Sequence, residues 1–93
     1  MIVAYLEKHD PKQNMHRYYR LSITRTLFGR YALIREWGRC RTNCLPFHNR
    51  QRKEEWYISR TTAFDRLLKI ALIKQQKGYL LIWQKQIITP FHF

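Results

Sequence analysis

The chain opens on IVAYL, residues 2 to 6, a short apolar run that predicts a strand. EKHDPKQN follows, where Asp10-Pro11 signals a turn and Asn14 tolerates irregular backbone, so a loop is expected there. From Arg17 to Thr24 the pattern alternates, with Tyr19, Leu21 and Ile23 on one face and Tyr18, Arg20, Ser22 and Thr24 on the other, as in a half-buried strand. Gly29 offers the positive φ of a tight connection. A third alternation puts Tyr31, Leu33, Arg35 and Trp37 on one face and Ala32, Ile34 and Glu36 on the other, until Gly38 interrupts it and marks a bulge, a bend or a close backbone approach, of which a bend would re-aim Trp37 and Arg39. RTNCLPFHNRQRK, residues 41 to 53, contains Asn43, Pro46 and Asn49 and predicts a long basic hairpin loop, with EEWYIS as the next strand.

Ser59 is placed to cap a helix over Arg60 to Lys77, in which Ala63, Phe64, Leu67, Leu68, Ala71 and Leu72 recur at three- and four-residue steps as a buried stripe. Gly78 stands where such a helix stops in a left-handed residue. These elements predict a single α+β domain, an antiparallel sheet with one C-terminal helix packed across it, over residues 1–79. Beyond it, LLIWQKQIITPFHF, residues 80–93, is more apolar than a tail needs and predicts either an added edge strand or a self-association surface. Pro90 confines its last residues to an edge or an irregular end.

Length and charge narrow the function. Ninety-three residues make one domain able to bury roughly 60–70% of its unfolded surface. Eighteen Lys and Arg against six carboxylates give a net charge of +12, which points to a polyanionic partner. A hydrophobic fraction of 45% with 15% aromatics separates the chain from disordered basic tails. No apolar run reaches the roughly 18–20 residues of a membrane span, and MIVAYLEKHDPK lacks an export pattern, so a cytoplasmic setting without a membrane partner is expected. There Cys40 and Cys44 are free thiols. Together with His48 they spell C-x3-C-x3-H, but a structural zinc site wants four ligands and this spacing fits no common finger, so neither metal nor other cofactor is expected. His9, His16, His48 and His92 are scattered without the acidic partners of a triad, and there is no Gly-rich phosphate loop; the chain does not read as an enzyme.

The string DPKQNMHRYY, then LFGRYALIREWGR, a basic loop, a helix and KGY resembles the WGR domain, named for the tripeptide that stands here as Trp37-Gly38-Arg39. The likeness covers residues 3–79. That domain occurs in poly(ADP-ribose) polymerases activated by DNA breaks and in many bacterial proteins, and the resemblance implies a twisted antiparallel sheet with a C-terminal helix that binds DNA near a strand end or nick. It implies that Trp37 stacks on the sugar of a terminal nucleotide and that Arg39 lies at the DNA surface. It places Asn14, Arg17, Tyr18 and Tyr19, matching N-x-x-[KR]-[FY]-Y, beside the backbone, and Tyr79 near the same DNA end. One departure follows the tripeptide: relatives often read I-G-x-x-G-Q, whereas Cys40, Arg41 and Cys44 stand here in a longer loop.

Side-chain chemistry is compatible with that assignment. An indole beside guanidinium groups is a stacking platform in a positive field, and Arg offers bidentate bonds to a 5'-phosphate. Arg20, Arg25, Arg35, Arg41, Arg50, Arg52 and Lys53 would add sequence-independent attraction that salt weakens. Plain structural readings compete: Trp37 is in phase with Leu33 and can be core, one of Tyr18 and Tyr19 must pack inside, and Arg39 can be a solvated edge charge. The candidate interface is Asn14, Arg17, Tyr18, Arg35, Trp37, Gly38, Arg39, Arg41 and Tyr79, in a non-catalytic module for DNA ends, nicks or 5'-phosphates. The alternative is a protein-interaction module or homodimer, using the sheet edge and residues 80–93.

Overall fold

A computed structural model describes residues 2–39 and 51–85. The expectations for Cys40, Arg41, Cys44, His48, Arg50 and residues 86–93 lie outside the described residues.

Five strands, β1 (Ile2–Asp10), β2 (Met15–Arg25), β3 (Tyr31–Arg39), β4 (Gln51–Tyr57) and β5 (Leu80–Lys85), form one antiparallel sheet in the order β4-β3-β2-β1-β5. Among the described residues a single α-helix, α1 (Arg60–Gln76), connects the two outermost strands, so the chain crosses the sheet between β4 and β5. It packs on the face carrying Ile2, Ala4 and Leu6 of β1, Tyr19, Leu21 and Ile23 of β2 and Leu33 of β3. The α+β class is as expected, although α1 is followed by a strand and is not the last element.

The strands run longer than their apolar cores. β1 continues through Glu7, Lys8, His9 and Asp10, which pair with Tyr18, Arg17, His16 and Met15. Backbone pairing sustains it there, and a 3-10 turn over Pro11–Gln13 closes on Asn14, whose φ of 51° places it in the left-handed region and whose N–H donates to the Pro11 carbonyl. β4 begins at Gln51, three residues inside the expected loop, because Gln51, Arg52 and Lys53 pair with Trp37, Glu36 and Arg35. It ends at Tyr57, leaving Ile58 exposed. Gly38 makes no bulge: Tyr18 pairs with Gly38 and Arg17 with Arg39 in unbroken register. Gly29 supplies the expected positive φ of 70° in the β2–β3 connection.

Ser59 caps α1, its hydroxyl accepting from the Thr62 N–H. The buried positions are Ala63, Leu67, Ile70 and Ala71, with Phe64 and Leu68 at the margin. Ile70 thus stands in the core in place of Leu72, which is exposed, because a 3.6-residue period carries the stripe from 63 through 67 to 70 and 71 and leaves 72 turned away. At the helix end Gly78 (φ 99°) permits two reversed bonds, Gly78 N–H to the Gln75 carbonyl and Tyr79 N–H to the Lys74 carbonyl, the arrangement of a Schellman stop.

Candidate nucleic-acid interface

The sheet register aligns two rows of side chains on the helix-bearing face, at the end carrying the β1–β2 hairpin. Lys8, Arg17 and Arg39 are cross-strand neighbours on β1, β2 and β3, and next to them run Leu6, Tyr19, Trp37 and Gln51 on β1 to β4. The first row is cationic and the second carries two aromatic rings, Tyr19 and Trp37, at its centre. Directly opposed like charges destabilise a sheet, so three neighbouring cations carry a cost that an anion would relieve.

The helix end closes this site from above. Because the Lys74 carbonyl accepts from the Tyr79 N–H, the Schellman stop brings the side chains of Lys74 and Tyr79 to the same corner. Lys8 reinforces the corner by donating from Nζ to the Lys77 carbonyl at 2.7 Å. The result is an open cleft of about 480 Å³ lined by Arg17, Tyr19, Trp37, Gly38, Arg39, Gln51, Lys74 and Tyr79. None of these eight is acidic.

Aromatic packing organises its floor. The rings of Trp37 and Tyr19 stack with centroids 5.7 Å apart and planes 14° from parallel, and Tyr79 meets Tyr19 edge-on at 6.2 Å. Trp37 is half-buried, one side against the core and the other available to the cleft. The Lys74 ammonium lies 4.6 Å from the Tyr19 ring centroid and 5.7 Å from that of Tyr79. Burial, and after it the charges of Lys77, Arg35, Arg17 and Lys8, push the Lys74 amine below its ordinary range. Burial is also the main cause that raises the Tyr19 hydroxyl.

The structure therefore gathers Arg17, Trp37, Gly38, Arg39 and Tyr79 from the expected set. Three others stand apart. Asn14 shapes the hairpin turn and does not line the cleft. Tyr18 points to the opposite face, fully buried and stacked on Tyr5 at 6.3 Å, so its ring is closed to a ligand there. Arg35 lies behind the cleft, donating to Glu55 at 2.7 Å and to the Tyr19 hydroxyl with its side chain largely covered, so it reaches the site through Tyr19 and through its field. Arg41 lies outside the described residues.

Tyr19, which the resemblance placed beside the backbone, also lines the cleft, and Lys74 and Gln51 are added by the structure. Lys74 was findable, since it extends the stripe 63, 67, 70, 71 by one more step, and Tyr19 shares the alternation of Arg17. Gln51 depends on the β3–β4 register, which the sequence does not disclose.

Among the described residues no helix is long and apolar enough to cross a membrane. The family model described as WGR domain matches residues 2–86, almost the whole length. An uncharacterized protein, y4dW, of Sinorhizobium fredii is 53% identical over 38 residues, a stretch that amounts to 41% of this chain and 19% of that protein. The match thus spans about a fifth of the relative's length. No solved structure matches.

Proposed function

The chain belongs to the WGR domain family, a nucleic-acid-binding family, and from that premise we propose that it is a non-catalytic module that binds the ends or nicks of DNA through the cleft around Trp37, Gly38 and Arg39. The observation that carries this reading is the joining of an aromatic floor to a row of unopposed cations: Trp37 and Tyr19 beneath, Lys8, Arg17, Arg39 and Lys74 around, and no carboxylate in the lining. A terminal sugar or base would lie on Trp37 where duplex stacking has ended, while Arg17 and Arg39 take the oxygens of the terminal phosphate. Interior duplex offers phosphates but no free stacking face, so preference for an end follows from the aromatic half of the site. Arg20, Arg25, Arg52 and Lys53 contribute attraction without sequence preference.

Fluorescence anisotropy at near-physiological salt tests this with intact duplex, blunt ends with and without a 5'-phosphate, nicked duplex and single strand. Tighter binding to phosphorylated ends or nicks, lost in Trp37→Ala, is the expected result. Equal, salt-erased binding to every form would reduce the cleft to a generic cation patch.

A second reading rests on β5. That edge strand leaves Leu80 69%, Ile82 51% and Trp83 46% exposed, an apolar margin suited to a protein partner or a second copy of the chain. A solution mass fixed at the 11.6 kDa monomer as concentration rises would remove the homodimer.

A further inference from the structure

On the face away from the cleft, the last rungs of the β1–β2 hairpin carry a second cluster that the DNA reading does not use. His9 and His16 are cross-strand partners. Their imidazoles face each other Nδ1 to Nδ1 at 2.7 Å, with ring centroids 5.0 Å apart. The far nitrogen of His9, Nε2, lies 3.0 Å from the Glu7 carboxylate on the same strand and face. Glu7 is itself held, because the Tyr5 hydroxyl donates to it; that hydroxyl is raised well above its ordinary range, by burial first and by Glu7 after it.

This chain of groups has a directional consequence. A carboxylate can only accept from His9 Nε2, so the proton of a neutral His9 sits on Nε2 and its Nδ1 presents a lone pair toward His16. A carboxylate on the outer nitrogen of an imidazole is the arrangement that orients histidine ligands at metal centres and increases their donor strength. Two Nδ1 atoms bound tetrahedrally to one Zn²⁺ at about 2.0–2.1 Å stand roughly 3.3 Å apart, so the pair needs to open by only about 0.6 Å.

We propose that His9 and His16 form a divalent transition-metal site on the β1–β2 hairpin, with Zn²⁺ held between their Nδ1 atoms and Glu7 orienting His9 from outside. Among the described residues no three His, Cys, Asp or Glu side chains converge to hold an ion. Water or an external donor therefore completes the coordination, and the His9 side chain, 39% exposed, leaves the ion accessible to one. The neighbouring rung is Lys8–Arg17, so an ion here pins the hairpin that delivers Arg17 to the opposite face.

Isothermal titration of the full chain with ZnCl₂ tests the site. Cys40→Ser, Cys44→Ser and His48→Ala are introduced throughout so that C-x3-C-x3-H cannot contribute. One ion per chain is expected, with His9→Ala and His16→Ala each weakening uptake by tenfold or more and Glu7→Gln weakening it about 10- to 100-fold. In the ¹H–¹⁵N spectrum of the imidazoles, Zn²⁺ must move the His9 and His16 nitrogens together. Circular dichroism checks that each variant folds, with His16→Gln standing in should His16→Ala not fold. Uptake that is not saturable, uptake unchanged in the histidine variants, or static His9 and His16 signals would show the 2.7 Å contact to be a shared proton and nothing more.

Discussion

Replacing Arg39 by Gln should move stability and binding in opposite directions. Arg39 ends β3 directly opposite Arg17, is exposed, and pairs with no carboxylate among the described residues. Directly opposed like charges on a sheet cost up to about 1 kcal/mol, and solvent screening at this exposed position reduces that to roughly 0.2–0.5 kcal/mol. Removing one charge should raise the melting temperature of a domain this size by about 1–4 °C. In the proposed DNA complex the same guanidinium would make a charge-assisted contact to phosphate, worth about 1.5–3 kcal/mol, so affinity for a phosphorylated end should fall about 10- to 150-fold. The slope of log K against log salt should shrink by about 0.9 if one phosphate contact is lost. Thermal denaturation and salt-dependent anisotropy on one preparation read both effects. A variant that loses stability together with binding would mean that Arg39 supports the fold, and one that binds unchanged would remove it from the interface.

Trp37→Ala should weaken end binding by about 1–3 kcal/mol of stacking while lowering stability modestly, and Trp37→Phe should recover part of each; an unfolded Trp37→Ala would assign the ring to the core alone. Leu67→Ala, at a fully buried helix position, should cost about 2–5 kcal/mol in denaturant titration without changing which DNA form is preferred, whereas Leu68→Ala at the margin should cost less. Glu55 is held below its ordinary range, first by the Tyr57 hydroxyl and then by Arg35, Arg66 and Lys53, against the opposing effect of burial. Its folded pKa being the lower one, its contribution is present above the unfolded carboxylate range and is lost as pH falls through the folded value. Glu55→Gln should therefore flatten the acid limb of the stability curve, and an identical limb in the variant would contradict the assignment.

Local chemistry was legible in the sequence wherever one residue sets one conformation. Gly29, Ser59 and Gly78 do so by φ or by a cap, and the alternations in β2 and β3 fixed their faces correctly. Registers were not legible, and the site depends on them: Arg17 meets Arg39, and Trp37 meets Gln51, through backbone pairing that no side-chain pattern encodes. The polar ends of β1 and β4 escaped for the same reason, since apolar periodicity stops where the strands do not. Arg35 and Tyr18 show the opposite failure. Their residue types suited an interface, but the Glu55 ion pair covers one and the helix-free face buries the other.

The most direct test of the cleft uses the chain's three tryptophans as reporters. Trp37 lines the cleft, while Trp56 and Trp83 lie on the opposite face, Trp83 stacked on Tyr5 at 5.8 Å. Their indole N–H signals in a ¹H–¹⁵N spectrum are followed as a duplex with a 5'-phosphorylated end is added. A stepwise shift of Trp37 with Trp56 and Trp83 unmoved is the predicted result; movement of Trp56 or Trp83 with Trp37 static would put the DNA on the other side of the sheet and contradict the account.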